Sequence, residues 1–142
     1  MLPGHPLLDA ALRLGLSLLL ALPLGWEREQ RSPSAGLRTY PLLSACVCGF
    51  LLLGQRSAGG PAGQADVIFG VLGGLGFVGS GAVLKSPDGP AGLNTAVSLW
   101  TAGAIGAGVA FEGPLVSLAV AVLSTLALRA PSVAGRPKGP TS

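Results

Sequence analysis

Residues 66–84 read DVIFGVLGGLGFVGSGAVL, and beyond Asp66 the run holds no ionisable side chain until Lys85. An α-helix rises about 1.5 Å per residue, so roughly 17 to 25 apolar residues cross a bilayer's hydrocarbon, about 30 Å thick. This run has the length and the composition of such a span. Its glycines offer a rival reading. Gly74-Leu75-Gly76-Phe77-Val78-Gly79 fits the dinucleotide-binding pattern G-x-G-x-x-G, with residues 67–72 before it as the strand. That pattern requires an acidic residue about 20 positions on and a second strand–helix–strand run in a chain of ordinary polarity. Asp88 comes too early, Glu112 too late, and the flanks are apolar. No nucleotide is expected.

Four further runs share the character of the first: Leu7 to Trp26, Thr39 to Leu53, Leu93 to Ala110 and Gly113 to Leu128. The predicted fold is all-α, a polytopic bundle of five transmembrane helices over residues 1–130. Residues 131–142, rich in Pro, Gly, Ser and Lys/Arg, have little to bury and are expected to form a disordered tail. Pro33, Pro61, Pro87, Pro90 and Pro114 fall in connections or at helix starts, where a missing N–H costs little.

Composition agrees with lipid as the solvent. Charged residues are 11% of the chain, against about 25% for a soluble domain. Hydrophobic residues reach 49% and mean hydropathy is +0.63. The 23 glycines lie inside apolar stretches without a collagen-like triplet. A net charge of +3 would suggest nucleic acid if the basic residues formed a stripe on a soluble face. Apart from Arg13, they are confined to segments between and after the apolar runs, so the expected partner is the bilayer and not nucleic acid. Cys46 and Cys48 stand two apart in a helical run and point to different sides, as packing thiols. Residues 1–6 lack the basic region of a secretory signal, so the first apolar run is expected to be retained.

Lys and Arg counts set an expected orientation. One side receives Arg28, Arg31, Arg38, Lys85, Arg129, Arg136 and Lys138; the other receives Arg56, with Arg13 near it. The positive-inside rule makes the first side cytoplasmic, with the N-terminus outside and the C-terminus inside. Asp9 and Arg13, four apart, are expected to pair, and Trp26 to mark the opposite interface.

Small residues recur every three positions at Gly70, Gly73, Gly76, Gly79 and Ala82, joined by Gly74 and Gly81, and every four at Ser98, Ala102, Gly106 and Ala110. Such rows let helices approach closely, so the third and fourth helices are expected at the packed centre, with the first and fifth facing lipid. The same surfaces would serve a homo-oligomer or a larger membrane partner.

Polar residues from four separated segments are expected at the cytoplasmic boundary: Glu27, Arg28 and Glu29; Arg38 and Thr39; Lys85; Asn94 and Thr95. Glu27 and Arg31, four apart, account for themselves as an ion pair, while Glu27 or Glu29 would also suit a hard cation such as Mg²⁺. Spacing favours the ion pair. Asn94 is expected to cap the fourth helix, with Ser98 and Thr101 on its face. Asp9, Asp66 and Glu112 fall on the other side. His5 receives no role, and no Ser/His/Asp or Cys/His set exists at membrane depth, so no catalytic residue is expected.

Three strings in this order resemble the membrane domain of the MgtC/SapB family: Leu24-Gly25-Trp26-Glu27-Arg28-Glu29 followed by Ala35-Gly36-Leu37-Arg38-Thr39; Gly74 to Gly81; and Gly92-Leu93-Asn94-Thr95-Ala96 with Ser98-Leu99-Trp100. The resemblance spans about Leu7 to Leu128 and implies a bacterial inner-membrane, multi-pass protein. It further implies a link to growth at low Mg²⁺, to survival inside host cells and to modulation of the membrane ATP synthase. It carries the acidic–basic motif to Glu27, Arg28 and Glu29, the G-L-R-T motif to Arg38 and Thr39, and the polar helix start to Asn94 and Thr95. The sequence departs where members often have a basic residue and this chain has Asp66, and where they have Arg and it has Ala91. It looks like a short member without the soluble domain of longer ones. The expected functions are magnesium homeostasis or transport, with Mg²⁺ as a ligand of Glu27 and Glu29. The alternative is a regulator that binds a larger membrane protein through its Gly-rich helices.

Overall fold

A computed structural model describes residues 5–31, 35–86, 89–111 and 113–130. The expected tail, residues 131–142, and Asp88, Glu112, Pro33 and Pro87 lie outside the described residues. The elements are α1 (Pro6–Arg31), α2 (Thr39–Ser57), α3 (Pro61–Gly81), β1 (Leu84–Ser86), β2 (Gly89–Ala91), α4 (Leu93–Ala110) and α5 (Pro114–Arg129). Pro61 and Pro114 open their helices in the first turn, where the fixed φ helps and the absent N–H is not needed.

Consecutive helices run antiparallel, as short connections require. Arg56 Nη2 donates to the Pro6 carbonyl at 3.2 Å, so α2 ends where α1 begins. Arg13 reaches the last carbonyls of α4, and Arg129 at the end of α5 meets Glu27 at the end of α1. The bundle thus has a Glu27 end and an Asp9 end.

α1, α3 and α4 are long and apolar enough to cross a membrane; α5 is apolar but shorter, at 16 residues. Leu7, Leu12, Leu19, Phe50, Phe69, Phe77, Leu115 and Leu123 are each more than half exposed. In water, leaving so much apolar area uncovered would forgo about 25 cal/mol for each Å². Against lipid tails it costs nothing.

The centre differs from the expected one. α4 touches all four other helices, and α1 and α2 complete the core with it; α3 lies on one flank, against α4 and α2, and α5 on the other, against α4 and α1. Core side chains are Leu24, Tyr40, Leu99, Ala102 and Ile105 toward the Glu27 end, and Val47, Cys48, Leu51, Leu75 and Val109 toward the Asp9 end. Helical phase gives the reason. At roughly 100° per residue, a step of four overshoots a turn by about 40°, whereas a step of three falls short by about 60°. Ser98, Ala102, Gly106 and Ala110 therefore stay on one face, and all four are buried. The three-residue row of α3 spirals round its axis, so only Leu75 and Gly79 of that helix are buried.

A Cβ at Gly106 would run into the Ser44 carbonyl, which places the α2 and α4 backbones in direct contact. On α3, Gly79 lies under the Trp100 ring, 3.2 Å from a Cβ there, and Gly76 touches the same ring at 3.9 Å. A Cβ at Gly70, Gly73, Gly74 or Gly81 would meet nothing within 4 Å. These four, expected as packing residues, are exposed, and Gly70 and Gly74 line an open groove beside α2.

A hairpin joins α3 to α4, with Leu84 paired to Ala91 and Ser86 to Gly89. The sequence reading took this stretch as plain loop. Gly92, not Asn94, occupies the cap position of α4, with φ of 85°. A side chain there would also collide with the Ala82 carbonyl. Asn94 sits exposed within the first turn.

Candidate functional site

The last two turns of α1 place Glu27, Arg28 and Arg31 where that helix meets α4 and α5. Glu27 is 3% exposed. Its Oε2 accepts from Arg129 Nε at 3.0 Å, and Arg31 Nε lies 2.5 Å from Oε1. The Arg31 contact is an ion pair without hydrogen-bond alignment, because Oε1 has no aligned donor. Both arginines are about half exposed, so two snorkelling guanidiniums hold one buried carboxylate.

Arg28, one residue on, turns inward and is 6% exposed. Its Nη2 donates to Thr95 Oγ1 at 2.8 Å, tying the end of α1 to the start of α4. Its Nε is buried without a hydrogen-bond partner among the described residues, as is the hydroxyl of fully buried Tyr40. Ser98, one turn below Thr95, is buried with its hydroxyl donating to the Asn94 carbonyl at 2.6 Å.

Glu29 points elsewhere. Its Oε2 accepts from the Leu37 backbone N–H at 2.9 Å, fixing the entry to α2. A Cβ at Gly36 would strike that carboxylate, and a Cβ at Gly25 would lie 3.2 Å from Leu37 Cα and 3.3 Å from Pro41. The two glycines let the connection fold tightly over α1. Thr39 and Tyr40 then donate their N–H groups to the Gly36 carbonyl at 3.0 and 3.2 Å.

Of the residues singled out from sequence, the fold brings together Glu27, Arg28 and Thr95, with Ser98 beneath them. Glu29 is joined to α2 through the backbone, while Arg38, Thr39 and Asn94 are exposed. The two carboxylates suited to a cation face different donors, and among the described residues no group of three His, Cys, Asp or Glu side chains converges. Sequence reading missed Arg129 as the partner of Glu27, although the alternating topology had put both at one boundary. It also missed Tyr40.

The Asp9 end has its own lock. Arg13 Nε donates to Asp9 at 2.9 Å, as the spacing predicts. Its Nη1 also reaches the Ala110 carbonyl at 3.1 Å, which Gln55 Nε2 shares at 3.2 Å. A cation at the negative end of α4 is favourable.

A bundle of apolar helices with ionic groups gathered at its two ends defines a helical membrane protein. The chain belongs to the MgtC family, whose model matches residues 14–135. Similar proteins include Protein MgtC of Brucella abortus, 32% identical over 125 residues, which are 88% of this chain and 52% of that protein. Protein MgtC of Salmonella typhimurium is 33% identical over 95 residues, 67% of this chain and 40% of that one. The chain spans about half the length of these relatives. No solved structure matches it.

Proposed function

We propose that this chain is a membrane regulator that acts by binding a larger membrane protein through the open face of α3, and that any effect on magnesium homeostasis runs through that partner. The observation that carries this reading is the row of Gly70, Gly73 and Gly74, where an added Cβ would meet nothing within 4 Å among the described residues. Small residues facing lipid give little dispersion contact, while against another helix they permit close approach. Gly70 and Gly74 themselves line an apolar groove of about 510 Å³ between α2 and α3, together with Leu43, Val47, Phe50 and Val71 among others. The partner that the family resemblance suggests is the membrane ATP synthase, and the location is the bacterial inner membrane, crossed several times.

Direct Mg²⁺ transport through Glu27 and Glu29 is the rival. It has less support, because Glu27 is engaged by two guanidiniums and Glu29 by a backbone amide. Purified protein in liposomes under a Mg²⁺ gradient separates the two. The proposal expects no flux, together with co-purification of a membrane partner that Gly74→Leu abolishes. Flux abolished by Glu27→Gln, or a partner retained by Gly74→Leu, would overturn it.

A further inference from the structure

A second apolar groove, of about 220 Å³, lies on the opposite flank between α1 and α5. Leu19, Leu20 and Pro23 form one wall, and Leu118, Val122 and Leu126 belong to the other. Helical register says where it leads. Steps of three or four residues carry the strip on α1 from Pro23 to Glu27 and Arg31, and the strip on α5 from Val122 through Leu126 to Arg129. The Glu27–Arg129 bond, 3.0 Å long, joins the two strips at the head of the groove.

Charge is unbalanced there. One carboxylate faces two guanidiniums, which leaves the head of the groove with a formal charge of about +1. Both arginines use Nε on Glu27, and their side chains are 48% and 57% exposed. A guanidinium has further N–H groups in a planar fork suited to phosphate oxygens. Trp26, 55% exposed and adjoining Glu27, marks the depth at which indole rings meet lipid headgroups.

We propose that the α1–α5 groove is a binding site for an anionic phospholipid, one acyl chain lying along the apolar walls and the phosphate held by Arg31 and Arg129. A zwitterionic lipid brings the same phosphate together with its own cation, which the uncompensated positive charge repels. The site therefore selects net negative headgroups. The linings of both grooves are free of charged residues, so the selectivity rests on the Glu27–Arg31–Arg129 cluster at the head of this one. This inference is independent of the proposed partner, which uses the other flank.

The test is native mass spectrometry of the full chain in detergent micelles titrated with phosphatidylglycerol or phosphatidylcholine of matched chains. At about fivefold per basic residue near the surface, phosphatidylglycerol retention should exceed that of phosphatidylcholine by at least about fivefold. The Arg31→Gln/Arg129→Gln variant should lose the preference while still binding both lipids weakly. Should that variant fail to fold, Val122→Trp, which fills the groove and keeps both arginines, decides: it should also lose the preference. Equal retention of the two lipids by the natural sequence, or a preference that survives Val122→Trp, would overturn the site.

Discussion

α3 and α4 carry nearly the same complement of small residues, yet one lies on the flank and the other in the middle. Six of the 21 residues of α3 belong to the expected packing row: Gly81, Gly70, Gly73, Gly74, Gly76 and Gly79. Only the last two touch another helix. In α4, the four-residue row is buried throughout. The number of small residues is thus uninformative without their phase. A row that repeats every four residues draws a stripe, and one that repeats every three scatters round the axis. In the first the glycines serve the chain's own core, while in the second most are left over for something outside it.

The contrast can be broken most sharply at Gly106. Any side chain there meets the Ser44 carbonyl and then the Cys48 amide nitrogen, both backbone atoms that cannot swing aside. Gly106→Leu is expected to separate α2 from α4 and abolish the monodisperse species in mild detergent, measured by size-exclusion chromatography. Gly106→Ala should already cost several kcal/mol, beyond the usual 1–3 kcal/mol or so of overpacking.

Next in size is Glu27→Gln. Breaking a fully buried pair costs roughly 3–5 kcal/mol. Arg31 and Arg129 are half exposed and can turn to water, so a loss of about 2 kcal/mol is expected, read as a lower thermal midpoint in micelles. Arg129→Gln should cost less, because Arg31 remains. Thr95→Val removes the one hydrogen bond that the buried Arg28 guanidinium makes among the described residues and should cost about 1–2 kcal/mol. If Thr95→Val proves neutral, water supplies the missing partner, and the Arg28 contact does not lock α1 to α4.

Much of this was legible in the sequence. The five apolar runs gave the helices, with α4 at its observed bounds, because length and hydropathy in a membrane chain leave few alternatives. α1 runs on to Arg31, past the expected end at Trp26, because Glu27 and Arg28 find partners on α5 and α4 and Arg31 pairs back to Glu27 one turn below, which keeps the last turns helical. The local pairs Asp9–Arg13 and Glu27–Arg31 followed from helical spacing. Contacts between distant segments were hidden: Glu27 with Arg129 is 102 residues apart, Arg28 with Thr95 67 apart. Spacing carries no information about such pairs, and topology limits them only to one end of the bundle. The hairpin was missed because Leu84–Ala91 has neither alternation nor a run of β-branched residues.

The smallest expected effect on stability carries the most weight for function. A Cβ at Gly74 would meet nothing within 4 Å among the described residues and would enter the open α2–α3 groove, so Gly74→Leu should change stability by less than about 0.5 kcal/mol. Leucine is the better helix former by nearly 1 kcal/mol in soluble helices, so a slight gain is as consistent as no change. Paired thermal unfolding of Gly74→Leu and Gly106→Leu in one detergent should therefore separate into an unaffected and a lost protein. A strongly destabilised Gly74→Leu would mean that the α3 face already packs against the chain's own helices, and the outward face on which partner binding is proposed would not exist. With stability unchanged, loss of a co-purifying partner in Gly74→Leu has no origin in misfolding, and the contact must lie between chains.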